Sequence, residues 1–512
     1  MTTSVARTAV SVRAPATVSH TRPRPPNRPA SLSPSLVHLA GECAPFARTG
    51  GLGEVVRTLA EAQAASGMSV AIIMPLYGIV RRVAGGLTPA TEPFIVRLGA
   101  REERVRLLRT QPPVGEPVTF FVDHPSFANR RGIYGDEGYD YPDNAFRFAL
   151  FSLAAITALP QIAPNASVLH AHDWHAALAP VYLRTGLGNA PAIPRLATVL
   201  SVHNAGYQGH HPPEVMSDLG LPWDLYDWRH FEWYGRVNIL KGGLAFADAV
   251  TTVSPTHARE LTTPLGGFGL HDAFASLGNR LVGVLNGIDQ HTWSPATDPY
   301  LPAQFSTSSL AGKRACKAAL QRAFRLAPRP DVPLFALCAR LVAQKGIDAL
   351  LDSEILDRGD AQFVLLGEGD ARYTSALARR AVTAPSSIGV QLEFSDRMEH
   401  LLLAGADACL VPSVYEPCGL TQMRAQRYGT LPVAHRVGGL ADTIDEDTGF
   451  LFAPHTPAAL AEAVDRAVSA YAEESRWIAR MRAAMRKDFS WARSTAAYGE
   501  VYRRAGMLSR AR

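Results

Sequence analysis

Twice along this chain, short β-branched or aliphatic runs alternate with amphipathic stretches. The first series includes Val70-Ala-Ile-Ile-Met74, Ser167-Val-Leu-His170 and Thr198-Val-Leu-Ser-Val202. The second includes Leu334-Phe-Ala-Leu337, Phe363-Val-Leu-Leu366 and Cys409-Leu-Val411. Consecutive parallel strands need a crossover between them, usually a helix, so this rhythm implies parallel sheets with helices on both faces. The proline-rich stretch Trp293-Ser-Pro-Ala-Thr-Asp-Pro-Tyr-Leu-Pro302 separates the two series and reads as a linker. At 512 residues the chain exceeds one ordinary core, and its 47% hydrophobic content suits large buried sheets. Two doubly wound α/β domains are expected, with ligands beyond the carboxyl ends of the strands.

Other classes are excluded by composition. Five scattered cysteines show neither CxxC nor Cys/His spacing, which argues against a disulfide framework and a zinc site. No uninterrupted apolar run approaches the roughly 20 residues of a membrane span. Residues 1–35 carry Arg7, Arg13, Arg22, Arg24 and Arg28, many prolines and serines, and no acid. That stretch cannot bury a core and is expected to be disordered, either a basic tail or an organelle transit peptide. Elsewhere basic and acidic residues are interspersed, so no nucleic-acid partner is expected.

The polar clusters fall just after the strands. Arg48-Thr-Gly-Gly-Leu-Gly-Glu54 lies between the run Leu36–Ala40 and a helical pattern that stops at Gly67, and Arg436-Val-Gly-Gly-Leu-Ala-Asp442 echoes it in the second series. Each is a glycine turn in its own right. Together they read as two anion loops, one per domain, offering backbone N–H groups at a helix start. His170-Ala-His-Asp-Trp-His175 lacks the His-x3-His spacing of a zinc helix and reads as a hydrogen-bonded network at a cleft lip. His203 follows the next strand among Asn204, Tyr207 and Gln208, side chains suited to hydroxyl-rich ligands. Arg340 and Lys345 share one turn, either a solvated basic loop or a clamp for a diphosphate leaving group. Glu416-Pro-Cys-Gly-Leu-Thr421 places a carboxylate before a helix start.

Taken in order, these segments resemble bacterial glycogen synthase and plant starch synthase. Val284-Leu-Asn-Gly-Ile-Asp289, Phe121-Val-Asp-His-Pro125, Ile133-Tyr-Gly135, Tyr141-Pro-Asp-Asn144 and Phe489-Ser-Trp491 fit the same pattern, which runs from about residue 36 to the end. The resemblance implies a GT-B architecture: two Rossmann-like domains, 36–292 and 293–488, face across a deep cleft, and a last helix, 489–512, returns to the first. It also implies transfer of glucose from ADP-glucose to the non-reducing end of an α-1,4-glucan, with retention and with neither metal nor cofactor. His203 would contact the donor glucose, Arg340 and Lys345 the diphosphate, and Glu416 the sugar hydroxyls. Tyr134, Asp173, Asn204 and Asn286 would line the cleft. Arg48, Gly50, Gly51, Glu54, Cys418, Gly419, Leu420, Thr421, Gly438 and Gly439 would complete the substrate contacts. The implied location is the cytoplasm, or a plastid if residues 1–35 are a transit peptide.

The sequence departs from the family pattern at a few positions. Arg48 and Glu54 stand where the family has Lys and Asp, Arg424 and Gln426 where relatives are mostly aliphatic or aromatic, and Val437 where a hydroxyl is common. Arg and Lys are not interchangeable at a tight site, so altered kinetics with retained activity is expected.

Overall fold

The computed structural model describes residues 35–511, apart from 137, 188, 189, 192, 194 and 195. The expectations for the basic stretch 1–35 therefore lie, except for Ser35, outside the described residues. The described residues form one compact unit, and it contains two large sheets.

The first sheet runs in the order Leu281–Gly283, Ala249–Thr252, Ala197–Val202, Val168–His172, Leu36–Leu39, Val70–Pro75, Val118–Asp123, Arg101–Arg109 and Thr88–Pro89. It is parallel up to Val118–Asp123, and the flanking strands Arg101–Arg109, Thr88–Pro89 and Phe94–Leu98 pair antiparallel. The second sheet is wholly parallel: Ile388–Gln391, Gln362–Leu366, Leu334–Cys338, Ala408–Val411, Leu431–His435, Phe450–Phe452. The central strands are buried along their whole length, LVHL at Leu36–Leu39 and LFALC at Leu334–Cys338, as strands covered by helices on both faces must be.

In each sheet the strand order reverses once near the middle. The reversal lies between Leu36–Leu39 and Val168–His172 in the first sheet, and between Leu334–Cys338 and Ala408–Val411 in the second. Crevices open where neighbouring strands send their chains to opposite faces. The glycine loop and His170–His175 leave the first crevice; Arg340–Lys345 and Pro412–Thr421 leave the second.

Two long helices complete the frame. Asn144–Ile162, though interrupted by Arg147, is by length and composition apolar enough to cross a membrane, but it is a core helix with 83% of its most apolar window buried. Its Arg147 is wholly buried with every guanidinium nitrogen engaged: Nε donates to Ser126 O (3.0 Å), Nη1 to Asn144 Oδ1 (2.6 Å) and Nη2 to Ile133 O (3.1 Å). Trp491–Ala511 leaves the second half and packs on the first, where Trp491, Tyr498, Val501, Tyr502 and Ala505 join the core. At the crossing, the Ile288 N–H donates to Phe489 O (2.8 Å), and a Cβ on Gly287 would lie 2.8 Å from Trp491.

Candidate active site

The first crevice is organised around Glu42, a residue the sequence reading passed over. It is buried and accepts the Thr49 N–H (2.6 Å), the Thr49 hydroxyl (2.7 Å) and the Tyr134 hydroxyl (2.7 Å). Tyr134 in turn stacks on His175 at 4.5 Å. These bonds fold the glycine loop back over the strand end. Gly50 is extended at φ −161°, and a Cβ at Gly50 or Gly51 would meet nothing within 4 Å. Neither strain nor packing therefore demands these glycines; they face open space. The helix Gly51–Ala65 receives no side-chain cap, which leaves its first N–H groups available to an anion.

The flanks of this loop do something other than expected. Arg48 does not turn into the first crevice; its guanidinium pairs with Asp396 of the second half at 3.2 Å, with both side chains more than half exposed. Glu54 is not free to meet a ligand. It accepts Arg424 Nη2 at 2.5 Å, while Arg424 Nη1 reaches Glu399 at 2.9 Å and the guanidinium lies 4.2 Å over the Trp293 ring. Two departures from the family pattern, Glu54 and Arg424, are thus partners in one buried interdomain clasp. Burial lowers the Arg424 pKa, but Glu399 and Glu54 outweigh it and hold the group above its ordinary value.

The second glycine loop also differs from its expected role. A Cβ on Gly438 (φ +43°) would lie 2.0 Å from Glu416 O, and one on Gly439 2.2 Å from Cys418 O. Gly438 and Gly439 are therefore required by close packing against the Glu416–Cys418 backbone. Their N–H groups are taken: Gly438 donates to Glu260 Oε1 of the first half (2.9 Å), Gly439 to Glu416 O (3.1 Å). Val437 offers no side-chain cap, and Glu260 accepts the first N–H of the helix. Gln426 finds partners in Gln422 O and Thr443 O, both at 3.2 Å.

His203 sits at the end of Ala197–Val202. Asp173, at φ +56°, accepts the His203 N–H at 2.7 Å, and burial raises its carboxyl to about 7, although the His203 and Asn204 N–H groups oppose the shift. The ring Nε2 of His203 lies 2.9 Å from His172 Nδ1, and burial lowers His203 to about 4, so the imidazole is neutral. Asn204 Oδ1 accepts the Gly206 N–H (2.9 Å), and its side chain bonds the Tyr415 hydroxyl of the second half. Tyr415, unmarked in the sequence, also packs edge-on against Phe268 at 4.8 Å.

Opposite stands the second crevice. Lys345 Nζ lies 2.5 Å from Glu416 Oε2, which also accepts the Ser413 hydroxyl at 2.9 Å. Gly346 makes this approach possible: it is left-handed (φ +69°), and a Cβ there would fall 1.8 Å from Pro412 O. Arg340 is exposed and holds no ion pair among the described residues. Cys418 is buried and its thiol is pushed up to about 12 by burial, partly opposed by the Asn286 N–H. Asn286 Oδ1 is buried and lacks a hydrogen-bond partner among the described residues. Gly419 (φ +72°) turns the chain, Gln422 Nε2 holds that turn through Cys418 O and Gly419 O, both 3.0 Å, and Leu420 and Thr421 open the short helix Thr421–Arg427.

His38, His170 and His172 form a buried cluster whose nitrogens lie within 4.8 Å of one another, close enough to hold an ion. All six ring nitrogens, however, face hydrogen-bond partners: Gln63, His172 and His203, Tyr502 and Ser201. The donor set is that of a hydrogen-bonded chain.

The crevice loops of two largely parallel α/β sheets meet here, with cations on one side and a neutral histidine on the other, and the fold as a whole matches solved sugar-transfer enzymes. The catalytic domain of starch synthase IV from Arabidopsis thaliana, solved with ADP and acarbose, has a TM-score of 0.82 and 31% identity, covering 93% of this chain and all of that one. A sucrose-phosphate synthase from Thermosynechococcus elongatus, 19% identical with a TM-score of 0.56 (92% of this chain, 98% of that one), shares the fold. The protein is a glycosyltransferase of the GT-B architecture. Residues 35–276 match the starch synthase catalytic domain and 321–484 the group 1 glycosyl transferases. The chain is 44% identical over 477 residues to the glycogen synthase of Anaeromyxobacter dehalogenans 2CP-C (91% of this chain, 99% of that one). It is 40% identical over 481 residues to that of Syntrophotalea carbinolica (92% and 99%). It belongs to the glycogen synthase and starch synthase family.

Proposed function

We propose that this glucan synthase takes ADP-glucose as donor and extends the non-reducing end of an α-1,4-glucan, retaining the anomeric configuration. The observation that carries the reading is the second crevice: unpaired Arg340 and Lys345, held on Glu416 at 2.5 Å, opposite neutral His203. A departing nucleoside diphosphate develops charge on oxygen, and two cations on one turn stabilise it more in the transition state than in the ground state. They supply this charge from the chain itself, so the reading calls for no resident metal or cofactor. Glu416, released from Lys345 as the diphosphate arrives, is placed to accept sugar hydroxyls. His203 and Asn204 face the glucose from the other side, with Asp173 positioning His203. Tyr134, Asn286 with its unpaired Oδ1, and the open face at Gly50 and Gly51 leave room for sugar and phosphate. The ADP and acarbose bound by the Arabidopsis enzyme support the donor and acceptor assignments. The bacterial relatives support a cytoplasmic setting; mass spectrometry of the native N-terminus distinguishes this from a processed plastid form.

Incubation with ADP-glucose and glycogen, in EDTA, is expected to release ADP and extend the glucan. Faster turnover of UDP-glucose would replace the donor assignment, and turnover that stops in EDTA would overturn the metal-free reading. Lys345→Ala and Glu416→Ala are expected to lower kcat far more than they weaken glucan binding; equal losses in both would remove their assigned roles.

A further inference from the structure

The strands of the first sheet carry an unusual polar row. His38 pairs in register with His170, His172 lies two residues on and opposite Ser201, and Ser201 is opposite Thr251. Period-two alternation puts these side chains on one face of the sheet, where they are buried beneath the C-terminal helix. A core position filled by a polar group costs stability unless every hydrogen bond is made, and here the bonds form one continuous line. It runs from Thr251 to Ser201 (2.5 Å), His170 (2.6 Å), Tyr502 (2.9 Å), Gln63 (2.8 Å), His38 (2.7 Å), His172 (2.9 Å) and finally His203 (2.9 Å).

The donors along this line can be assigned from Gln63. Its Nε2 donates to the Tyr502 hydroxyl, so its Oε1 faces His38 Nε2. An amide oxygen only accepts, so His38 carries its proton on Nε2 and its Nδ1 is bare. His172 must then donate from Nε2 to His38 Nδ1, which leaves His172 Nδ1 to accept from His203 Nε2. Burial keeps each ring neutral, with a single proton to place. The remaining nitrogen of His203, Nδ1, is left as a bare acceptor. On the other side, the Tyr502 O–H donates to His170 Nδ1, and His170 Nε2–H goes to Ser201.

We infer that Gln63 and Tyr502 are positioning residues: acting through His38 and His172, they fix which nitrogen of His203 carries the proton, and so present Nδ1 as an acceptor. Which imidazole nitrogen is protonated is set by the hydrogen bond the other one makes. Here that control is relayed through two further rings to an amide whose orientation is set from the last helix of the chain. The return of Trp491–Ala511 to the first half therefore has a chemical purpose besides packing: it supplies a hydroxyl that, with its proton given to His170 Nδ1, is left to accept the Gln63 Nε2–H. The consequence for turnover rests on the placement of His203 at the donor sugar; the relay itself does not.

The experiment uses the full-length protein labelled with 15N-histidine, whose ring nitrogen shifts report the tautomer of His203. The resonance is assigned by its loss in His203→Ala. The wild type is expected to show the Nε2–H form alone. Tyr502→Phe keeps the ring but frees the Gln63 amide to flip, and Gln63→Met removes the amide at similar volume. Each is expected to give a mixture of both tautomers and to lower kcat by the factor by which the Nε2–H population falls, about two-fold for an even mixture, while the KM for ADP-glucose stays unchanged. Val501→Ala, on the same helix, is expected to lower Tm without changing the tautomer. A wild-type Nδ1–H form, or an unchanged tautomer in both variants, overturns the relay whatever the rates do. A mixed tautomer with unchanged kcat leaves the relay standing and overturns the placement of His203 at the sugar.

Discussion

Replacing Arg424 by Met tests the clasp that joins the two halves. In the wild type the guanidinium sits between Glu54 at 2.5 Å and Glu399 at 2.9 Å, with side-chain exposures of 9%, 20% and 8%. At an effective dielectric of about 20, a unit pair at ~4 Å is worth ~4 kcal/mol, and desolvation of three ions offsets much of this. Removing the cation is a different matter, because Glu54 and Glu399 then face each other, nearly dry, with nothing between them. Stranding a buried charge in this way costs about 3–5 kcal/mol. Met preserves the apolar cover over Trp293, so the loss is electrostatic and not a cavity. Because the clasp links two halves, its breakage is expected as local opening and not as one global transition. Hydrogen exchange of Gly51–Ala65 and Thr421–Arg427 should accelerate by about 100-fold or more, the equivalent of ~3 kcal/mol. Glu54→Gln should lose less, since Glu399 still holds Arg424. The double variant should recover part of the loss, giving a coupling energy of at least ~1 kcal/mol. Additive effects within ~0.5 kcal/mol would refute the clasp, and exchange accelerated equally in helices remote from the interface would mean general unfolding.

Four further outcomes are expected. Gly346→Ala should destabilise the fold by about 3 kcal/mol or more, because the left-handed residue would drive its Cβ to 1.8 Å from Pro412 O. Gly50→Ala, with nothing within 4 Å, should leave Tm unchanged, so any rise it causes in KM reports ligand contact. Arg48→Lys should change Tm little, since the Arg48–Asp396 pair is more than half exposed on both sides. Last, thermal melts should show acid lability. His38 and His203 protonate at the ordinary 6.5 when unfolded but are held to about 4 by burial in the fold, and His175 to about 3. Their contribution is complete above pH 6.5 and is lost as pH falls towards 4, on the order of 3 kcal/mol for each of the first two. Asp173, raised to about 7 by burial, works the opposite way, favouring the fold at low pH and losing that contribution as pH rises through 7. Three histidines outweigh one carboxyl, so Tm should fall steeply between pH 6.5 and 5; a flat profile would refute the neutral burial of these rings.

Much of the site could be read along the chain because it lies at strand ends. His203, Arg340, Lys345 and Glu416 each follow a buried aliphatic run within a few residues, and doubly wound topology carries such positions to the crevices. Glu42, Tyr415, Gln63 and Tyr502 escaped notice for the opposite reason. Each is an ordinary residue locally, and its meaning comes from a partner between 7 and 439 positions away in sequence. The matching glycine loops misled for a related reason. Their likeness is real, but Gly50 and Gly51 face open space, whereas Gly438 and Gly439 are pressed against Glu416 and Cys418, and Glu260 fills the anion position.

By itself, then, the sequence determined the class of fold and where along the chain its chemistry would stand. Hydrophobic periodicity and glycine placement are local properties, written at spacings of two to a few residues. Only the tertiary structure decided what the unusual residues do. Glu54 and Arg424, set apart in sequence as departures from the family pattern, meet across the two halves, where Arg424 is shared between Glu54 and Glu399. His38, unremarkable within a strand, joins a line of hydrogen bonds ending at His203. Charge pairing and proton placement depend on which groups share a desolvated volume. No local pattern encodes that volume; it exists only once the two sheets and the returning helix have packed.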